Sequence, residues 1–358
     1  MFTIEKLEDF SLFIASDKAR EHVEPMIAQA KESNQKFVDE NPQTPPKMPI
    51  SGTFIYAHPP NYRGRPMHNY SVRDWMKLMR GLKRAGMDTI VLQASIWNEL
   101  KECYYPSAHF KNYKQWNMVE PMLEAADASC MSVYLGGYGS VSGWKEDLTQ
   151  ADIEQEKENQ LACFHELLKY RDLFDGIYFA PETAFMGKRD LEKEQFLNEI
   201  YREFCNTVKR EAPEKKILMS PATKYFPGKM SEMVDSWMAI LDKVPLDIMS
   251  PQDSIGTCGN QLLHQEETYN AWSEICSKRN IVFWSNIEIF ERKVMVEGVN
   301  HSTPASPERV TAQINNAAEY AEKLICWEAP YYMLDTSDES IALRKFIEAQ
   351  APKLMHCH

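Results

Sequence analysis

From about residue 50 onward, short apolar runs alternate with longer amphipathic stretches. The runs are GTFIYAH (52–58), DTIVLQAS (88–95), SVYLGGYG (132–139), FDGIYFAPE (174–182), KILMSPAT (216–223), LDIMSPQD (246–253), NIVFWSNIE (280–288) and KLICWEAP (323–330). Each is rich in β-branched or aromatic residues, or bounded by Gly, Pro, Asn or Asp, which predicts strands. Helical patterns lie between them. In SVRDWMKLMRGLKRAG, Ser71 with Asp74 three positions on predicts a capped helix start. Trp75, Leu78, Met79 and Leu82 form its apolar face, and Gly86 offers a stop. Further helices are predicted over 148–170, with Leu161, Phe164 and Leu168 at helical spacing, and over 191–210, 230–241, 266–278, 307–320 and 339–350.

Eight strand–helix units about 40 residues apart predict an α/β fold of the (β/α)8 TIM barrel type. A doubly wound sheet is the competitor, but AHPPNYRGRP after the first strand holds neither a G-x-G-x-x-G nor a P-loop. Residues 1–48 read as a helical extension, with Val23, Ile27 and Ala30 at helical spacing, closed by the Pro-rich connector NPQTPPKMP (41–49). The barrel domain is assigned to 49–358.

In a barrel the site lies at the C-terminal strand ends, so the residues there matter most. Reading the ends in order gives Tyr56 and His58, Gln93 and Ser95, Tyr138, Glu182, Ser220, Gln252 and Asp253, Asn286 and Glu288, then Trp327 and Glu328. The segment FWSNIEIFE (283–291) is the most informative, because it places Glu288 inside an aromatic run. An unpaired buried charge costs several kcal/mol, so such a carboxylate has a compensating partner or chemistry to perform. If Glu288 faces the barrel axis, period-two alternation puts Trp284 and Asn286 there too, with Phe283, Ser285 and Ile287 facing the helices. Salt-bridged strand ends would leave a similar pattern for either glutamate alone. Glu182 and Glu288 together suit glycosidic bond cleavage, with one carboxyl protonating the leaving oxygen and the other attacking or activating water. Trp97, Tyr138, Trp284 and Trp327 are candidate rings for sugar C–H faces, and His58, Gln93, Gln252, Asp253, Asn286 and Glu328 are candidate hydroxyl partners.

The segments SGTFIYAH, RAGMDTIVLQAS, DGIYFAPET, MSPQDSIG and FWSNIEIFE resemble an uncharacterised TIM-barrel family, a domain of unknown function regarded as glycoside-hydrolase-like. The resemblance spans most of 50–335 and leaves the N-terminal extension uncovered. It implies a sugar-facing rim with Gln93, Glu182, Gln252, Asp253 and Glu288, and no established substrate. The glutamates also resemble those of the retaining glycosidase clan, with acid/base on strand four and nucleophile on strand seven. That clan's Asn-Glu pair on strand four is here Pro181-Glu182, so the partner for a sugar 2-hydroxyl is missing, and Gln252 or Asn286 is the candidate substitute.

The formal net charge of −12 argues against nucleic acid and anionic membranes as partners. No apolar run approaches the ~18 residues of a membrane span. FSLFIA near the start is too short for a secretory core. Eight scattered cysteines without a CxxC suit a reducing compartment, so a cytoplasmic location is expected. The expected function is therefore hydrolysis of a small oligosaccharide or glycoside, with no cofactor and no structural metal. Two alternatives stand beside it: a metal-dependent sugar isomerase or lyase using Glu182, Asp253, Glu288 and His58, and a barrel that binds carbohydrate without cleaving it. The tail His356-Cys357-His358 reads as a frayed end. Oligomeric state is not legible.

Overall fold

All eight apolar runs become parallel strands of one closed barrel. The strands are β1 (Ile50–Ile55), β2 (Thr89–Leu92), β3 (Ser132–Gly136), β4 (Gly176–Phe179), β5 (Lys216–Met219), β6 (Ile248–Met249), β7 (Val282–Glu288) and β8 (Lys323–Trp327). Each pairs with its successor, and β8 pairs with β1 to close the ring. The computed structural model describes residues 17–42, 44–56, 67–145, 148–257, 259–292, 302–333 and 337–351. His58 and the tail 356–358 lie outside the described residues.

Large rings fill the barrel axis. Phe54 meets Tyr178 edge-on at 5.2 Å, and Tyr134 meets Trp284 at 5.5 Å. Gly176 makes room for this filling, since a Cβ there would sit 2.6 Å from the Tyr134 ring and 2.5 Å from the Lys216 carbonyl.

The helices are α1 (Asp17–Glu40), α2 (Val72–Arg84), α3 (Val119–Asp127), α4 (Gln150–Leu167), α5 (Leu191–Glu211), α6 (Met230–Ile240), α7 (Gln265–Arg279), α8 (Pro307–Ala317), α9 (Ala329–Tyr332) and α10 (Asp338–Gln350). At the start of α2, Ser71 and Asp74 form the reciprocal cap expected of them, and Trp75, Leu78, Met79 and Leu82 are buried. The helix anticipated over 148–170 is shorter: Thr149 caps α4 with Asp152, and a 3-10 turn takes over at Leu168. Tyr170, at φ −102° and ψ 16°, has left helical geometry. The helix anticipated to reach residue 320 stops at Ala317.

Two additions crown the C-terminal end of the barrel. One is a small four-stranded sheet built from Ile96–Trp97, Glu102–Cys103, Lys114–Gln115 and Tyr138–Gly139. The other is a two-stranded ribbon of Phe290–Arg292 and Ser302–Pro304. On the barrel's flank, Phe37 and Val38 of α1 pack against Ile255, Leu262 and Ala312. The connector after α1 is tied to α8, where the Lys47 amide donates to Asn315 Oδ1 at 3.0 Å.

Candidate active site

Strand parity, barrel closure and loop chemistry together determine which polar side chains meet at the mouth. On β4, Tyr178 points to the axis, almost fully buried, and accepts a hydrogen bond from the Gln93 side chain at the end of β2. Four residues on, the chain delivers Glu182 to the mouth, where its side chain is partly exposed. Gln252, beyond β6, donates from Nε2 to Glu182 Oε1 at 2.5 Å and to the Ser220 carbonyl at 3.3 Å. The backbones of Gln252 and Asn286 are bridged in parallel, extending the barrel pairing by one rung. Asn286 donates to Ser220 Oγ at 3.2 Å. Gln93 Oε1 and Asn286 Oδ1 are buried acceptors that meet no donor among the described residues. The turn at 142–144 braces the same corner: Thr183 Oγ1 donates to the Gly143 carbonyl at 3.0 Å, and a Cβ on Gly143 would lie 2.0 Å from the Glu182 carbonyl.

Burial pushes the Glu182 carboxyl up to about 7, against the hydrogen bond from Gln252, which favours its ionised form. Glu288 sits deeper, at 2% exposure. Its Oε2 accepts from the Thr257 amide at 2.7 Å. Burial first, and then the Asp253 carboxylate, push Glu288 up to about 8, opposed by Thr257 and by the charge of Arg309. On β7, Ser285 shares a hydrogen bond with Tyr269 of α7 at 3.0 Å on the outer face, while Asn286 reaches Ser220 across the inner one.

Other candidates are placed elsewhere. Asp253 does not open onto the mouth. It is 5% exposed, accepts from Gln313 at 2.6 Å, the Glu288 amide at 3.2 Å and the Ile255 amide at 3.3 Å, and burial pushes its carboxyl upward. Trp284 also stays below the mouth. It lies four residues before Glu288, about 13 Å along the strand at ~3.3 Å per residue, beside Lys323 at the start of β8. Glu328 is fully buried and accepts from the Tyr56 amide at 2.8 Å, so it ties β8 to β1. Tyr138 leaves the axis altogether, stacking on Phe110 at 5.6 Å and accepting from Asn159 at 3.0 Å in a side cleft of about 420 Å³. Trp97 and Trp327 do converge, both within 5.8 Å of the Tyr56 ring, and Trp327 is partly exposed. The Trp327–Glu328 peptide bond is cis.

Three supporting residues escaped the sequence reading: Tyr178, Arg309 and Gln313. The latter two stand four apart on α8, and each is at least nine-tenths buried. Arg309 Nη2 donates to the Glu288 carbonyl at 3.1 Å and the Phe290 carbonyl at 2.5 Å, and Gln313 to the Glu288 carbonyl at 3.2 Å. Among the described residues, no three His, Cys, Asp or Glu side chains group to hold a metal ion. Among them, too, no helix is long and apolar enough to cross a membrane.

Residues 50–340 match the family described as a domain of unknown function, DUF4434, and the chain belongs to that family. The match leaves α1 outside. No curated protein matches the sequence. Among solved structures, a candidate alpha-L-fucosidase from Bacteroides thetaiotaomicron superposes with TM-score 0.69 at 19% identity, over 85% of this chain and 98% of that one. The catalytic domain of a beta-amylase from Paenibacillus polymyxa gives 0.53 at 7% identity, over 86% and 100%. A family 1 β-glucosidase from Thermotoga maritima gives 0.50 at 9% identity, over 80% and 89%. At these identities the likeness establishes the (β/α)8 fold alone.

Proposed function

We propose that this member of the DUF4434 family is a glycoside hydrolase acting on a small oligosaccharide or glycoside, with Glu182 as general acid/base and Glu288 as nucleophile. One observation carries the reading. Glu182 is a carboxyl at a barrel mouth, oriented by Gln252 and held by burial near 7, where an acid can both give and recover a proton at neutral pH. The buried acceptors Gln93 Oε1 and Asn286 Oδ1 beside it suit the hydroxyl donors of a sugar. The partly exposed Trp327, in its cluster with Tyr56 and Trp97, suits a sugar ring face. The barrel neighbours named for glycosidases are consistent with this chemistry by analogy of fold.

In the proposed sequence Glu182 protonates the glycosidic oxygen as the Glu288 carboxylate attacks the anomeric carbon, giving a glycosyl ester. Water then cleaves that ester, with Glu182 now taking its proton. Asn286 and Gln252 take the place of the missing asparagine at Pro181. A second reading, carbohydrate binding without cleavage, draws on the depth of Glu288 and on its bond to the Thr257 amide.

A screen of aryl glycosides and oligosaccharides tests the proposal. Glu182→Gln is expected to lower kcat by about 10²–10⁴-fold on sugar leaving groups and far less on nitrophenyl glycosides, which need no acid. Glu288→Gln is expected to abolish turnover of both. Full turnover in both variants would overturn the assignment. Saturable sugar binding by the wild type, with no product after prolonged incubation, would favour the second reading.

A further inference from the structure

Glu288 is held by a loop that is itself held from outside the barrel. Thr257, whose amide bonds Glu288 Oε2, belongs to the segment between β6 and α7. Gly256 lies against the same carboxylate: a Cβ there would stand 3.2 Å from Glu288 Oε2 and 2.3 Å from the Phe290 carbonyl. Further along, Asn260 donates to the Asp253 carbonyl at 3.1 Å and the Thr223 carbonyl at 2.9 Å, so it closes the segment into a ring.

The far side of that ring rests on α1. Asn34, 4% exposed, accepts from the Leu262 amide at 2.7 Å and donates to the Asn260 carbonyl at 3.3 Å. Ser33 donates to Gln261 Oε1 at 2.7 Å. Phe37 and Val38 cover Ile255 and Leu262 from the same helix. A Cβ on Gly259, at φ +75°, would lie 3.6 Å from the Met26 carbonyl and 3.8 Å from the Ala30 side chain. Lys31 reaches Glu291, just past β7, at 3.7 Å. A single buried amide thus satisfies a donor and an acceptor of the loop that carries the Glu288 clamp.

We infer that Asn34 of α1 is a positioning residue for the site, fixing the 253–262 loop so that the Thr257 amide stays on Glu288. The inference deepens the hydrolase reading and rests on it only for the role of Glu288 in turnover. The groups facing Glu288 are Thr257 and Asp253 from the loop and Arg309 from α8. Of these, Thr257 and Arg309 favour the ionised carboxylate and Asp253 opposes it. Releasing the loop removes the Thr257 donor and leaves Arg309 in place. It also admits water to a carboxyl whose rise is chiefly burial, so the Glu288 carboxyl then titrates at lower pH than in the wild type, nearer its ordinary value.

The test uses the full chain with Asn34→Ala, Asn34→Asp and the surface control Gln35→Ala. Hydrogen exchange of residues 253–262, carbon-13 titration of the Glu288 carboxyl and the pH profile of turnover are read together. In Asn34→Ala, loop amides are expected to exchange at least ~10-fold faster while the barrel strands keep their protection. The Glu288 titration moves to lower pH, and the alkaline limb of the profile, which Glu288 sets because the two carboxyls titrate in crossed order, moves with it. At neutral pH kcat falls ~10–100-fold, more than KM changes. Asn34→Asp keeps the acceptor for Leu262 and recovers most of the protection, and Gln35→Ala matches the wild type. Unchanged loop exchange in Asn34→Ala, or faster exchange with an unmoved Glu288 titration, overturns the inference. If the wild type hydrolyses nothing while exchange and titration move together, the positioning role stands and the hydrolase reading fails.

Discussion

Glu182 and Glu288 carry the same functional group, yet the chain gives them different surroundings. Glu182 has one neutral donor and partial access to solvent; Glu288 is sealed beside a second carboxylate and a guanidinium. With Glu182 as the proton donor, activity is lost as pH rises through about 7. With Glu288 as the nucleophile, activity is gained as pH rises through about 8. The two limbs cross in the unusual order, so a minority of molecules holds the productive pair, and a bell with its apex between 7 and 8 is expected in kcat/KM. An optimum below pH 6 would contradict these assignments. The residues that define this pair were legible because a carboxylate inside FWSNIEIFE, or ending FDGIYFAPE, is costly unless compensated. Asp253 and Trp284 were legible as polar or aromatic strand positions, but not in their depth. Parity gives a face, whereas depth depends on how far a strand runs past its neighbours and on which loop folds over it.

Helix α8 buries two long polar side chains. Arg309 and Gln313 lie on the face turned to the barrel, where apolar residues would be expected, and they satisfy carbonyls of Glu288 and Phe290 that the two-stranded ribbon leaves exposed. In sequence they read as part of a polar surface, which is why periodicity alone concealed them. Arg309→Met leaves Asp253 and Glu288 without the Arg309 cation and the Phe290 carbonyl without the Arg309 donor, while Gln313 still serves the Glu288 carbonyl. It is expected to destabilise the fold by about 3–5 kcal/mol, read from urea unfolding. Adding Asp253→Asn should cost less than the sum of the single changes, because it removes one of the stranded charges. Strict additivity would show that the two side chains act independently. The eight barrel strands, by contrast, were legible throughout, since each short apolar run had to be covered on both faces. Helix ends slipped by a few residues at Leu167 and Ala317, where local turn geometry decides the last hydrogen bond.

For the molecule as a whole, several buried carboxyls share one direction. Glu99, Glu156, Glu182, Asp253 and Glu288 are all pushed upward by burial, Glu156 and Glu182 to about 7 and Glu288 to about 8. Their folded values exceed the unfolded ones, so the native state binds more protons, and stability is lost as pH rises from about 5 through 8. His68 and His264, shifted downward by burial, oppose this weakly below about 6.5. Asp152 and Glu214, held at about 2, contribute stability that disappears only in strong acid. The net charge of −12 adds repulsion in the same alkaline direction. The urea midpoint is therefore expected to be higher at pH 5 than at pH 9. Glu156→Gln should flatten that slope, since the rise of Glu156 alone corresponds to on the order of 3 kcal/mol. A midpoint that climbs between pH 5 and 9 would contradict the buried-acid account.

The partners of Asn34 are 226 and 228 residues further along the chain. During synthesis α1 leaves the ribosome before the barrel strands, yet its Ile27 and Ala30 stripe has nothing to cover until β6 and the loop beyond it have emerged. This helix, made before the barrel strands, therefore docks among the last of the described elements, and the barrel can close before α1 has clamped the loop that holds Glu288.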